Sequence, residues 1–183
     1  MKNIGSLLLI AAIVILAVVG LVVTQQKQPQ QTTPTQPPPK VEQTKSTVET
    51  VPDLTLTDYG GKKVRLSDFR GKPLIINSWA AWCPFCRDEL PDFSEIQKEL
   101  GDRVVIIAVD RAESRDVAKK YTDELGVTGD FVFLLDPQDS FYKAIGGFSM
   151  PETIFATKDG KVVDHKRGVM EKEEIKARAK KIL

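Results

Sequence analysis

The sequence predicts an α/β domain in which a mixed central sheet carries helices on both faces, with a β-hairpin at its amino-terminal end. Three observations support this fold class. Apolar, β-branched runs that suit buried strands alternate with segments of helical periodicity, which favours parallel pairing of successive strands. Turn signals at residues 59–62 and 158–160 separate short runs and indicate two hairpins. A long uncharged stretch and a Gln-, Thr- and Pro-rich segment precede the domain and predict one transmembrane helix and a disordered linker.

The first 50 residues divide into a stub at 1–3, an uncharged stretch at 4–23 and a linker at 24–50. At 1.5 Å per residue, an uncharged helix of this length spans about 30 Å of hydrocarbon. No Ala-x-Ala-like cleavage site follows, so we interpret the stretch as an uncleaved signal anchor. Lys2 favours a cytoplasmic amino terminus. The sequence therefore predicts a single-pass protein of the cell membrane whose domain, at 51–183, lies outside the cytoplasm.

Composition limits the classes of function. The chain has 183 residues, of which 42% are hydrophobic, and this leaves room for one domain once the anchor is set aside. The net charge is +1, so binding to nucleic acid has no electrostatic support. The linker is either a tether that lets the domain search for partners or a spacer without a recognition role.

The strands of the domain are predicted from alternation and from apolar runs. Alternating residues at 54–57 and 64–66 form the first hairpin. Central strands follow at 74–78, 103–110 and 131–135, and a closing hairpin pairs residues 153–157 with 161–168.

The helices are predicted from apolar spacing and capping residues. The first follows the cysteines, with apolar residues at Leu90, Phe93, Ile96 and Leu100. The second covers 114–125, with Ser114 as its N-cap and Gly126 as its stop. A short helix at 140–145 and a final helix at 171–183 complete the domain.

The chain contains two cysteines, Cys83 and Cys86, and both lie where a predicted strand gives way to a helix. Unpaired N–H groups and the helix dipole stabilise a thiolate there, so Cys83 is expected to be the more exposed and more acidic sulfur. Cys86 lies one turn later, within reach for a disulfide. Pro84 is tolerated in a first helical turn. The pair is predicted to be a redox-active disulfide.

A Cys-x-x-Cys pair can also form half of a zinc site. Zinc sites usually need four ligands, and this chain adds a single histidine, His165, to its two cysteines. Because His165 lies among charged residues in the closing hairpin, it is expected to be solvated. Asp110, at the end of a strand, is expected to cap a loop. We therefore predict no metal and no cofactor, since the cysteines carry the electrons themselves.

Two stretches carry a family resemblance. The run Trp82-Cys83-Pro84-Phe85-Cys86, followed by Pro91, and the run Met150-Pro151-Glu152-Thr153 ahead of a strand resemble the thioredoxin superfamily. The anchor, the linker and residues 77–83 resemble, more narrowly, the membrane-anchored TlpA-like and ResA-like thiol-disulfide oxidoreductases. That group includes the cytochrome c maturation proteins DsbE and CcmG. The resemblance covers about residues 51–183 and implies a thioredoxin-like fold.

The resemblance also implies residue roles. Cys83 would be the attacking thiolate and Cys86 the resolving thiol. Pro151 would be a cis-proline beside the disulfide, and the backbone of Met150 would pair with an extended substrate segment. Trp82 is expected, like Trp79, to pack around the site.

One departure concerns the proton acceptor. Ordinary thioredoxins have a buried aspartate six positions before the first cysteine, where this chain has Asn77, which cannot accept a proton. If a buried base assists Cys86, the candidates are Glu89, three residues further along the helix, and Glu152, beside Pro151. For each, the alternative is an ordinary surface carboxylate.

The function that the resemblance implies is reduction of disulfides in exported proteins, such as apocytochrome c during cytochrome c maturation. An integral membrane thiol reductase would supply the electrons, and the protein is expected to be a monomer. Phe85 puts no charge between the cysteines, which favours a reducing disulfide. Two alternatives remain open: a disulfide oxidase or isomerase of secreted proteins, and a non-catalytic copper-binding chaperone. The latter is disfavoured because related copper chaperones separate their cysteines by three residues.

Overall fold

The computed structural model describes residues 48–183. The predicted anchor at 4–23 and most of the predicted linker lie outside these residues. No helix within residues 48–183 has both the length and the apolar character needed to cross a bilayer.

The described part of the chain contains seven strands and four α-helices. The strands are β1 (Thr55–Asp58), β2 (Lys63–Arg65), β3 (Leu74–Trp79), β4 (Val105–Arg111), β5 (Val132–Asp136), β6 (Glu152–Ala156) and β7 (Val162–Arg167). The helices are α1 (Pro84–Leu100), α2 (Arg115–Glu124), α3 (Ser140–Ala144) and α4 (Lys172–Ala179), and short 3-10 helices cover Leu66–Phe69 and Gly101–Arg103. The strands and helices predicted for the domain are confirmed, with ends that shift by one or a few residues.

The strands form one mixed sheet in the order β2-β1-β5-β4-β3-β6-β7. The three central strands β3, β4 and β5 run parallel, and the two hairpins pair antiparallel with their neighbours. All six residues of β3 are buried, as a strand with neighbours on both edges and helices on both faces requires. The predicted α/β class with a mixed sheet is confirmed.

Two apolar clusters fill the two faces of the sheet. On one face, Ile75 and Phe155 of the sheet pack with Leu90 and Phe93 of α1 and with Ile175 of α4. On the other face, strand residues pack with the short helix α3 and the first 3-10 helix; they include Leu74, Ile76, Ile154, Leu66 and Phe141. Successive side chains of a strand point to opposite faces of the sheet. Within one strand, the odd-numbered residues therefore face one side and the even-numbered residues the other.

The folded domain begins earlier than predicted. The carbonyl of Glu49 accepts a hydrogen bond from the N–H of Val162 at 2.8 Å, and Thr50 forms a bridge with Lys161. Val48 packs against the second apolar cluster. Residues 48–50 were assigned to the linker by composition, but their backbone groups pair with the start of β7, and composition does not report such pairing.

Candidate active site

The two cysteines lie at the amino terminus of α1, directly beyond the end of β3. Cys83 is the N-cap residue, with extended backbone at φ −91° and ψ 107°, and its sulfur accepts a hydrogen bond from the N–H of Cys86 at 3.3 Å. Pro84 occupies the first turn, where a missing N–H costs nothing. The cysteines form a disulfide with Cα atoms 5.4 Å apart. The strand-to-helix placement of the pair is thus as predicted.

The disulfide is covered, and aromatic side chains project beside it. Cys83 is 2% exposed and Cys86 is fully buried, so the expected difference in exposure is small. Trp79 packs against Tyr121 and Phe133, with ring centroids 5.6 and 6.0 Å away. Trp82, by contrast, is 61% exposed, so its predicted packing role is wrong. Trp82 directly precedes the N-cap residue Cys83, at the point where the chain leaves the sheet, and no other described element packs over its side chain.

The Met150–Pro151 segment lies next to the disulfide through the pairing of β6 with β3. Ser78 pairs with Glu152, so the residues before Glu152 continue past the end of β3, towards the segment that leads to Cys83. The Met150–Pro151 peptide bond is cis, as the resemblance implies. Met150 packs against the apolar cluster that contains both cysteines.

Glu89 is a buried carboxyl on the same face of α1 as Cys86. Residues three apart on a helix are neighbours, and Glu89 is 1% exposed. Its two oxygens accept hydrogen bonds from Asn77 Nδ2 and from the N–H of Met170, both at 2.9 Å. Burial raises the pKa of Glu89 to about 8, although these hydrogen bonds oppose the shift. The group is therefore poised to exchange a proton near neutral pH.

Glu152 faces the other side of the sheet. It shares the parity of Ile154 and Ala156, which belong to the cluster opposite the cysteines, whereas Phe155 lies on the cysteine side. Burial alone would raise its pKa, but hydrogen bonds from His165 and from the N–H groups of Ser149 and Phe148 outweigh burial and hold the pKa below its ordinary value. Glu152 thus stays ionised and lies away from Cys86. Of the two carboxylates considered as bases, the geometry favours Glu89.

His165 is buried, so its predicted solvation is wrong. Its Nε2 lies 2.7 Å from Oε2 of Glu152, and neither side chain is exposed to solvent. Ile154 pairs with His165 and Glu152 with Arg167, so Glu152 and His165 are diagonal neighbours on one face of the β6–β7 hairpin. The run of charges around His165 suggested a solvated strand, but the register turns its ring inward.

A pair of neighbouring acids, the buried Asp110 and the partly buried Glu113, was missed by the sequence analysis. Asp110 pairs with Trp79 across β4 and β3 and is fully buried. Burial, followed by the neighbouring carboxylate of Glu113, raises the pKa of Asp110 well above its ordinary value. Glu113 accepts the N–H of Ala81 at 2.6 Å and so ties the segment before Cys83 to the loop after β4. The signal in the sequence that could have revealed this pair was the position of the acidic Asp110 at the end of a buried strand.

Among residues 48–183, no three His, Cys, Asp or Glu side chains gather into a cluster suited to a metal ion. The ring of His165 is instead engaged by Glu152.

Comparison with known proteins agrees with this geometry. The family model described as Redoxin matches residues 47–183, well over half of the chain. The chain belongs to the Redoxin family. The thiol-disulfide oxidoreductase ResA of Geobacillus thermodenitrificans is 37% identical over 130 residues, which cover 69% of this chain and 72% of that protein.

Solved structures give the same picture. A Chlorobium tepidum protein named as a thiol:disulfide interchange protein DsbE superposes with a TM-score of 0.68 at 25% identity, over 73% of this chain and 95% of that one. The exposed lipoprotein thioredoxin Etrx1 of Streptococcus pneumoniae gives a TM-score of 0.64 at 34% identity, over 71% of this chain and 99% of that one. This Redoxin protein has a thioredoxin-like fold and is a thiol-disulfide oxidoreductase of the ResA and DsbE type, a family that acts on protein substrates.

Proposed function

We propose that this protein is a membrane-tethered, extracytoplasmic reductase of disulfides in exported proteins, such as apocytochrome c during cytochrome c maturation. The observation that carries the proposal is the Cys83–Cys86 disulfide at the start of α1, with the buried carboxyl of Glu89 one turn beyond Cys86. The uncharged stretch at 4–23 supports the tether.

The exchange proceeds in two balanced steps. In the reduced enzyme, the thiolate of Cys83 attacks one sulfur of the substrate disulfide, and the other substrate sulfur leaves and takes up a proton. Cys86 then gives up its proton and attacks the Cys83 sulfur of the mixed disulfide, which releases the second substrate thiol. Two electrons pass from the cysteine pair to the substrate; Cys86 supplies one proton, and solvent supplies the other, which Cys83 had lost when it ionised.

Glu89 is the proposed proton acceptor for Cys86. Its pKa of about 8 lies close to the ~8.5 of a free thiol, so the proton moves between groups of similar affinity. Asn77 and Met170 hold the two oxygens of the carboxyl in place. Glu152 lies on the opposite face of the sheet and takes no part in this proton transfer.

A reducing direction is supported by what surrounds the sulfurs. Phe85, between the cysteines, is 57% exposed and carries no charge that would stabilise a thiolate. Arg87, which directly follows Cys86, carries a positive charge that could stabilise a thiolate. Its guanidinium instead lies over the ring of Tyr121, 5.8 Å from the ring centroid. Electrons would then come from an integral membrane thiol reductase, whose own dithiol becomes a disulfide when it reduces Cys83–Cys86.

Capture of the mixed disulfide tests this function. Without the resolving thiol, the Cys86→Ser variant of the full-length chain should accumulate as a covalent adduct with its exported substrates, identified after acid quenching and mass spectrometry. Cys83→Ser is the matched control and should capture none of them. Alkaline extraction should leave the full-length chain in the membrane fraction. Recovery of no exported protein from Cys86→Ser cells would contradict the proposal.

A further inference from the structure

The loop that carries the cis-proline presents one large apolar side chain to solvent. We define the Phe148 loop as residues 146–150, which lead from α3 to Pro151. Phe148 is 84% exposed, more than any other large apolar residue that the structure describes. Trp82, which directly precedes Cys83, and Phe85, which lies between the two cysteines, are also exposed. Large aromatic side chains kept in water beside a reaction site are typical of surfaces that bind protein partners.

The backbone of the Phe148 loop is fixed by side chains beneath it. Oε1 of Glu152 accepts the N–H groups of both Phe148 and Ser149 at 2.5 Å. The hydroxyl of Tyr142 donates to the carbonyl of Ser149 at 3.1 Å, and the N–H of Gly147 donates to the carbonyl of Tyr142 at 2.8 Å. Hydrogen bonds to an ionised carboxylate are about twice as strong as neutral ones. The loop therefore holds Phe148 in one place despite its exposure.

The carboxylate that fixes the loop is itself held by a buried histidine. A carboxylate only accepts hydrogen bonds, so Nε2 of His165 donates to Oε2 of Glu152. Arg167 adds positive charge 3.7 Å from Oε1. Burying charged groups is costly unless they are paired and hydrogen-bonded. The pairing of Glu152 with His165 and Arg167 meets this condition and keeps the carboxylate in place under the Phe148 loop. None of these groups faces Cys86, and the exchange steps do not use them.

We propose that Phe148 is a specificity-determining residue that contacts an apolar side chain of the protein substrate, and that Glu152 and His165 are the positioning residues that hold it there. The inference rests on the thiol-disulfide exchange activity and not on its direction. The resemblance implies that the substrate segment pairs with the backbone of Met150, and Phe148 lies two residues before Met150. Two residues span at most about 7 Å, so the side chain contacted is placed about two positions from the reacting cysteine.

Kinetics with matched substrates test this assignment on the full-length chain. The probes are two peptide disulfides that differ by Phe or Ser two positions from the cysteine, with hydroxyethyl disulfide as a substrate that has no side chain to bind. The native chain should show a KM about tenfold lower for the Phe peptide, the value expected for burying part of an aromatic ring. Phe148→Ala should abolish this preference while kcat for the peptides is retained.

The positioning role is tested by a double-mutant cycle. Glu152→Gln and His165→Gln should each raise KM for the Phe peptide, and Phe148→Ala combined with Glu152→Gln should be no worse than Phe148→Ala alone, because both changes remove the same contact. Asp164→Asn, a carboxylate on the same hairpin that binds Arg178 and Lys181, is the matched control and should leave KM unchanged.

Specific outcomes would overturn the inference. An unchanged preference for the Phe peptide in Phe148→Ala would remove the specificity role. Additive losses in the double variant would show that Glu152 acts independently of Phe148. A native chain that reduces hydroxyethyl disulfide but does not distinguish the peptides would refute this inference alone, whereas failure with all three disulfides would contradict the exchange activity as well.

Discussion

At the scale of single residues, burial raises the pKa values of the Glu89 and Asp110 carboxyls well above their ordinary values. Glu89 is hydrogen-bonded beside the resolving cysteine, whereas Asp110 lies beside Glu113, which holds the N–H of Ala81 in the segment that leads to Cys83. Glu152 is just as buried, yet its partners donate hydrogen bonds and keep it ionised. Burial alone does not decide the protonation state of a carboxyl, because hydrogen-bond donors and nearby charges act against it.

Removing the titrating proton of Glu89 should slow exchange. Glu89→Gln keeps the shape of the side chain but cannot accept a proton from Cys86, so we expect the rate with a protein disulfide at pH 7 to fall at least about tenfold. The native rate should rise with pH up to about 8, as Glu89 loses its proton, and the variant should lack that inflection. Stopped-flow rates from pH 5 to 10 measure both effects.

The control for this variant is Asp88→Asn, which alters an exposed neighbouring carboxylate on α1. Its pH profile should match that of the native chain. If Glu89→Gln leaves both the Cys86 titration and the exchange rate unchanged, Glu89 is not the proton acceptor.

Asp110 should make stability depend on pH. Its pKa is raised in the folded state, so its contribution to stability is complete below the unfolded value of about 3.9 and is lost as pH rises through neutral. Asp110→Asn removes this titration. The free energy of unfolding of the native chain should therefore fall relative to that of the variant, by up to about 1.4 kcal/mol per pH unit.

Urea unfolding at pH 5 and pH 8 measures this difference. Asp116→Asn, an exposed carboxylate in the first turn of α2, serves as the control. If the free energies of unfolding of Asp110→Asn and of the native chain differ by the same amount at both pH values, Asp110 ionises normally in the folded state.

At the scale of elements, the β6–β7 hairpin shows what local sequence can and cannot predict. Its turn, Lys158-Asp159-Gly160, and both strands follow from residue types within a few positions. The burial of His165 does not, because it depends on which residues face each other, and the pairing shifts at Phe155 and Ala156. A shift of one residue would turn His165 to the other face. Local signals thus predict the hairpin, and only its register places Glu152 beside His165.

The Phe148 loop should be intolerant of side chains at Gly147. A Cβ at this position would overlap the ring of Tyr142, which also binds the carbonyl of Ser149. Gly147→Ala should therefore lower the free energy of unfolding by about 1–3 kcal/mol, the usual cost of overpacking. Gly129→Ala is the matched control, since nothing lies within 4 Å of the added Cβ. Equal stability of the two variants in urea unfolding would contradict the fixed loop geometry.

At the scale of the whole molecule, the alternation of strands and helices was enough to predict the mixed sheet, and the Cys-x-x-Cys spacing was enough to locate the disulfide. The supporting residues were harder to predict. Glu89 is local to the cysteines and was identified, whereas Glu113 reaches Ala81 from 32 positions along the chain. Contacts of that kind arise from parallel pairing of β3 with β4 and leave no local pattern in the sequence.

The reduction potential of the full-length chain should lie near or below about −270 mV, the value of thioredoxin. An oxidising disulfide needs a reduced form stabilised by charge around the thiolate. Here Phe85 is neutral, Cys83 is 2% exposed, and the carboxyl of Glu89 lies one turn beyond Cys86. Titration against dithiothreitol, followed by the fluorescence of the exposed Trp82 next to Cys83, measures the potential. A value near −120 mV would instead indicate an oxidase and reverse the direction of electron flow.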